Sequence, residues 1–239
     1  MHVTKRDGLQ IFECTADDLY DIKISEPYTK RATQEKSHSL FNLTFAYNGK
    51  YQSELAGGGI YAIHYDGELL YIGIYTGKKP VPFIGNVANT RLDNHLDVLT
   101  MRGRSVGFAA HNYDAACNLP DHELVRAIKQ SPGMRKGNSV MSYPCKVKFA
   151  CENWDAMRSI ESDPNGLSRF QLIYARMDPE FYRADINYLQ LLHYLENIEN
   201  HLLKQFEPRC NLSYNAPNSD YLVYGPPMSA WDELKDRIS

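Results

Sequence analysis

The sequence predicts an α+β fold, and three stretches carry that prediction. Residues 60–65 and 69–75 alternate or run apolar on either side of Asp66-Gly67, the pattern of a β-hairpin closed by a two-residue turn. Phe170-Gln171-Leu172-Ile173-Tyr174-Ala175 reads as a buried strand well downstream. Tyr188, Leu191, Leu192, Leu195, Ile198, Leu202, Leu203 and Phe206 recur at helical spacing, an amphipathic helix over about 185–206 that Pro208 stops.

The remaining elements follow in order. The first 57 residues, up to the Gly57-Gly58-Gly59 run, mix charge with short β-type stretches such as Leu40-Phe41-Asn42-Leu43-Thr44-Phe45. They read as an N-terminal extension packing on a main domain over 58–239. The loop Thr76-Gly77-Lys78-Lys79-Pro80-Val81-Pro82 breaks the sheet. Val87, Leu92, Leu96 and Leu99 then predict a helix over about 86–99. Residues 100–167 read as an insertion with a strand at 104–109, a helix around 121–130, a loop at 132–138 and a strand near 145–150. Glu161-Ser162-Asp163-Pro164-Asn165-Gly166 closes it with a turn. Beyond Pro217, Pro226 and Pro227, a last short helix is expected, capped by Ser229 with Asp232 three residues on. There is no internal repeat and no low-complexity tract.

Composition narrows the class. Of 239 residues, 43% are hydrophobic and 23% charged, an ordinary globular balance, and no apolar run is long enough to span a bilayer. The start, Met1-His2-Val3-Thr4-Lys5-Arg6-Asp7, is too polar for a signal peptide. Cys14, Cys117, Cys145, Cys151 and Cys210 are odd in number and contain no Cys-x-x-Cys pair, which fits a reducing cytoplasm better than a disulfide framework or a zinc site. The net charge of −3 hides an uneven distribution. Between Ile72 and Lys148, eleven Lys and Arg stand against five Asp and Glu. Local positive charge on an acidic body is what a phosphate-binding face requires; clustering on solvated helices is the plainer alternative.

Gly59-Ile60-Tyr61 and Tyr71-Ile72-Gly73 put two tyrosines and two glycines on the predicted hairpin, and Arg91 and His95 follow four residues apart on the next helix. Glu199 lies on the long helix beside its apolar stripe, and Asn211 follows Pro208. In this order the residues resemble the signature of the GIY-YIG nucleases, and the Arg-x-x-x-His pattern is similar to that of the family's type II restriction enzymes. The resemblance covers about 59–96 and 168–212. It implies a small three-stranded antiparallel sheet flanked by helices, and catalytic roles for Tyr61, Tyr71, Arg91, His95, Glu199 and Asn211. Glu199 is then the ligand of a single Mg²⁺, with Mn²⁺ as a substitute, because Mg²⁺ is commonly held by one or two carboxylates with water and phosphate oxygens completing its shell. Arg91 neutralises charge developing on the phosphoryl oxygens. Tyr61 is the expected base, oriented or relayed by His95. Tyr71 positions water or phosphate, and Asn211 holds the site together. Three departures stand out. Ile74 and Tyr75 occupy the place where relatives carry a basic or small polar residue, the stretch from Gly73 to Arg91 is longer than in compact members, and more than a hundred residues separate His95 from Glu199.

The expected activity is therefore Mg²⁺-dependent, sequence-specific cleavage of double-stranded DNA, leaving 5′-phosphate and 3′-hydroxyl ends. A cytoplasmic enzyme of prokaryotic or phage origin, free of membrane, fits this reading. It acts as a homodimer on a palindromic site or as a monomer nicking each strand in turn. The 100–167 insertion is where recognition is expected, and Lys78, Lys79, Arg102, Arg104, Arg135 and Lys136 are the candidate DNA contacts, with plain surface charge the alternative for each. A structure-specific repair, recombination or phage nuclease is the second reading. A DNA-binding protein on an inactivated nuclease fold is the third.

Overall fold

A computed structural model describes residues 2–6, 8–24, 26, 28–29, 36–39, 41, 43–77, 85–102, 107–109, 123, 143–178, 188–211, 226 and 228–239. The strands are β1 (His2–Arg6), β2 (Leu9–Thr15), β3 (Tyr20–Ile24), β4 (Tyr28–Thr29), β5 (Lys36–Ser39), β6 (Leu43–Tyr47), β7 (Gly59–Tyr65), β8 (Glu68–Tyr75), β9 (Gly107–Ala109) and β10 (Phe170–Met177). The α-helices are α1 (Ala16–Leu19), α2 (Asp93–Leu99), α3 (Tyr143–Glu152), α4 (Trp154–Arg158), α5 (Tyr188–Phe206) and α6 (Asp232–Ile238). A π-helical turn, Ala88–Leu92, precedes α2, and a 3₁₀ turn, Met228–Trp231, precedes α6. The α+β class is thus observed. No helix among the described residues is long and apolar enough to cross a membrane.

The chain forms two compact units, one of residues 1–19, 49–91 and 167–239, the other of 20–48 and 92–166.

The first unit is built on an antiparallel sheet of five strands in the order β1-β2-β10-β7-β8, two more than the expected three. The added pair comes from the extreme N-terminus, where Leu9, Ile11 and Phe12 are buried as fully as the central strands. Burial of adjacent Ile11 and Phe12 covers both faces of β2 and makes it an interior strand, because leaving such side chains exposed forfeits roughly 1.5–3 kcal/mol for each. The hairpin forms as its sequence dictates. Asp66 and Gly67 both take left-handed backbone, φ +50° and +81°, the type I′ geometry that matches strand twist. Arg169 clamps the turn by pairing with Asp66 and stacking over Tyr65, which holds the Asp66 carboxyl below its usual range.

One face of this sheet carries Leu9, Ile11, Ile60, Ala62, Ile72, Ile173, Ala175 and Met177. Against it pack Leu191, Tyr194, Leu195, Ile198, Leu202 and Leu203 of α5, joined by Trp231, Leu234 and Ile238 from the C-terminal turn and α6. Tyr194 donates to the carbonyl of Pro226 at 2.5 Å and accepts from Trp231 Nε1 at 2.7 Å, so these polar atoms enter the core in pairs. Ser229 does not cap the last helix as expected. It sits exposed inside the 3₁₀ turn, and the position before Asp232 is Trp231, whose indole is more valuable buried than a hydroxyl is at the cap.

The second unit holds a two-stranded sheet, β3-β6, and a three-stranded sheet, β4-β5-β9. Helix α2 packs on β6 and on α3. The strand expected near 145–150 is instead α3. Cys145-Lys146-Val147-Lys148-Phe149-Ala150 alternates like a strand on paper, but Lys146, Phe149 and Ala150 are buried together, a helical i, i+3, i+4 face. The α2 C-terminus closes in a Schellman arrangement, with Met101 at φ +56°, Met101 N–H donating to Val98 and Arg102 N–H to Asp97. Glycine is the usual residue at that position; here full burial of the Met101 side chain offsets the backbone cost.

Candidate active site

The two phenols are brought together by the pairing of β7 with β8. Tyr61 stands opposite Gly73, and its ring lies 6.0 Å from that of Tyr71, centroid to centroid, at 29°. The second motif glycine is required by this contact. A Cβ on Gly73 would meet Tyr61 Oη at 2.6 Å, Tyr61 Cζ at 2.7 Å and Tyr71 Cε1 at 2.7 Å. The glycine is thus the space that the phenols occupy. Because Tyr61 alternates with Ile60 and Ala62, it faces away from the α5 layer, yet it is only 3% exposed.

Asn211 fixes β8 at the same level. Its Nδ2 donates to the Ile72 carbonyl at 2.8 Å and its Oδ1 accepts from the Ile72 N–H at 3.0 Å, a two-point grip on the residue between Tyr71 and Gly73. The preceding residues add backbone bonds from Cys210 to Leu70 and from Arg209 to Leu69. Arg91 enters from the π-helical turn, where it is exposed. The start of that turn is held by Asn86, a residue the sequence reading left unused. Its Oδ1 accepts from the N–H of Ala88 at 2.8 Å and of Asn89 at 3.3 Å, and its Nδ2 reaches the Gln52 carbonyl. An Asn just ahead of a helical repeat is the signal that could have identified it.

Electrostatics connects these parts. The Tyr61 hydroxyl is pushed well above its ordinary value, first by burial, then by Tyr71, against a lowering pull from Arg91 and a further push from Glu199. A hydrogen bond to Tyr71 also favours the protonated phenol. Tyr61, Tyr71, Arg91 and Glu199 therefore lie within electrostatic reach of one hydroxyl. Helix α5, which carries Glu199, packs on β8 and β7. Glu199 is pushed up to about 7 by burial, with Glu196 one turn earlier adding to the shift. No cation pairs with Glu199 among the described residues, and a carboxylate raised in this way is one that a bound cation would relieve. The chain thus fits a divalent ion held by a single carboxylate. Among the described residues, no three or more His, Cys, Asp or Glu are grouped so as to hold a metal ion.

Compared with known proteins, the chain matches no family model, no curated protein and no solved structure.

The other expected site residues are taken in turn. His95 belongs to α2 in the second unit, where Lys146 Nζ lies 2.6 Å from its Nδ1. Arg102, expected to touch DNA, is 0% exposed. Its guanidinium donates to the carbonyls of Thr100 at 2.7 Å and Met157 at 2.6 Å, pairs with Glu161, and stacks 4.4 Å from the Phe41 ring centre. It fastens the end of α2 to the end of α4 and has no free face for a phosphate. Lys78, Lys79, Arg104, Arg135 and Lys136 lie outside the described residues, as do the helix expected at 121–130, apart from Glu123, and the loop at 132–138.

Proposed function

We propose that the protein is a divalent-metal-dependent endonuclease that hydrolyses double-stranded DNA at a specific sequence, in the manner of the GIY-YIG restriction enzymes that its motifs resemble. The observation that carries this reading is the stacked pair Tyr61 and Tyr71 seated on Gly73, with Tyr61 buried and its hydroxyl sensing the charges of Arg91 and Glu199. Tyrosine pairs in sheets are common, and an acid on an amphipathic helix is unremarkable. A buried phenol that feels a second phenol, a guanidinium and a carboxylate together is suited to proton transfer beside a phosphate.

Arg91, exposed at its turn, is free to bind a phosphoryl oxygen and to stabilise the charge that builds there during attack. Glu199 would hold Mg²⁺ or Mn²⁺, which would polarise the scissile phosphate when bound. Tyr61 keeps its proton in the free protein. To act as a base it must lose that proton, and neutralising Glu199 removes one of the charges that oppose this. Arg91 then acts alone in the favourable direction, with Tyr71 positioned to take up the hydrogen bond. Asn211 and Gly73 touch no substrate in this scheme; they hold the phenols in register. A homodimer on a palindromic site is the proposed working form.

Plasmid DNA incubated with the protein and Mg²⁺ should yield discrete bands. Glu199→Ala should abolish cleavage while a gel shift persists. A smear, or cuts confined to branched DNA, would instead support the structure-specific class, and cleavage unchanged by Glu199→Ala would remove the metal assignment.

A further inference from the structure

Tyr174 is buried on β10 directly opposite Tyr61 of β7, yet the nuclease scheme gives it no part. Its hydroxyl donates to the Gly57 carbonyl at 2.7 Å, and Gly57 is buried as well. Phenylalanine would pack as well as tyrosine here; a buried hydroxyl is favourable only because it has that carbonyl to bond. Two residues on, Arg176 Nη1 donates to the carbonyls of Ser53 at 2.5 Å and Ala56 at 3.4 Å. β10 therefore grips the segment 51–57 at three carbonyls. The same segment holds the turn of Arg91. Ala56 bridges to Asn86, the Leu55 carbonyl accepts from the Val87 N–H at 3.0 Å, and the Gln52 carbonyl accepts from Asn86 Nδ2 at 3.3 Å. The Arg91 N–H then closes on the Val87 carbonyl at 2.9 Å. Hydrogen bonds and short lengths of chain thus lead from the strand beside Tyr61 to Arg91, all within the first unit.

We propose that Tyr174 is a positioning residue: through the segment 51–57 it sets where the turn of Arg91 stands relative to Tyr61. A guanidinium that stabilises a transition state is effective only where its place is fixed beforehand. Arg91 is exposed, so that task falls to the backbone that carries it. One strand holds both partners, since β10 pairs with the strand of Tyr61 and grips the brace of the Arg91 turn. Asn86 is the second anchor, joining Gln52 and Ala56 to the start of the turn. What Arg91 does there rests on the nuclease reading; the coupling rests only on these hydrogen bonds.

The test is amide hydrogen exchange of the full chain, read by NMR, together with cleavage kinetics. In the unaltered chain the Val87 amide should be protected, and exchange there at the open-chain rate overturns the proposal without any variant. Tyr174→Phe removes only the hydroxyl. It should speed exchange at Val87 about tenfold and leave the Ile72 amide, held by Asn211, unchanged. Asn86→Asp keeps the oxygen that caps the turn, removes the donor to Gln52, and should do the same. Tyr174→Phe should also lower kcat about tenfold with KM for DNA unchanged. In an Arg91→Lys background the same substitution should change kcat by less than about twofold. Unchanged exchange at Val87 in both folded variants overturns the coupling. An equal fall in kcat in both backgrounds means that Tyr174 does not act through Arg91, and overturns the proposal while the nuclease reading stands. Faster exchange at Val87 in a chain that cuts no DNA upholds the coupling and removes the nuclease reading.

Discussion

Gly73→Ala is the most direct probe of how the motif is built. The added Cβ would lie 2.6–2.7 Å from three atoms of two rings, where ordinary van der Waals contact begins at 3.4 Å. Each contact is thus short by about 0.7 Å, and Tyr61, at 3% exposure, has little room to retreat. Overpacking of this kind costs about 1–3 kcal/mol. Against it stands a gain of about 0.4–1 kcal/mol, because alanine restricts the unfolded chain more than glycine does and Gly73 does not need a left-handed backbone. The net expectation is a loss of about 1–2 kcal/mol, read as a lower urea midpoint at unchanged m-value. Two of the three collisions involve Tyr61, so the same substitution in a Tyr61→Ala background should cost less than half as much. A Gly73→Ala protein as stable as the parent, or an equal penalty in both backgrounds, would refute the idea that the glycine exists to seat the phenol.

Asn211→Ala should cost about 1–3 kcal/mol in urea unfolding, since it removes two hydrogen bonds from the backbone of Ile72; a loss under about 0.3 kcal/mol would show that water replaces the grip. Glu199 links stability to pH. Its folded value of about 7 lies above the ordinary 4.5, so its stabilising contribution is complete below the unfolded value and is lost as pH rises through about 7. Glu199→Gln should therefore be more stable than the parent at pH 8 by up to about 3 kcal/mol and indistinguishable from it near pH 4, and parallel stability curves would contradict the shift. Asp97 is also raised to about 7, so the difference between the two proteins is the quantity to read. Arg102→Ala should destabilise by about 3–5 kcal/mol because it strands Glu161 and two carbonyls; weaker DNA binding at full stability would restore it as a phosphate contact.

How legible the molecule was from its sequence varied with the range of the forces involved. The hairpin, β10 and α5 follow from local pattern, because a type I′ turn and a seven-residue apolar repeat leave few alternatives. Alternation misled at 145–150, where tertiary burial of Lys146, Phe149 and Ala150 selected a helix over the strand that the same letters allow. The place of β2 in the main sheet was hidden for another reason: β1 pairs with β2 close by in sequence, but the pairing of β2 with β10 joins residues more than 150 apart, and no local signal reports it. At the site, the motif residues Tyr61, Tyr71, Arg91 and Glu199 were readable as types in order. Asn86 and Glu196 were not, since each acts on another side chain or backbone group. Arg102 shows the converse error: a charge in a basic stretch looks solvated until its partners Thr100, Met157 and Glu161 are in view.

The chain from Arg209 to Asn211 has one more consequence. β8 is the outer strand of its sheet, and its outward groups at Leu69, Leu70 and Ile72 are already spoken for by Arg209, Cys210 and Asn211. Those three residues behave as a substitute sixth strand. A second copy of the protein that tried to add its own strand there would first have to peel Asn211 away from Ile72. The same side chain that keeps two tyrosines in register therefore also guards this border against strand-to-strand aggregation.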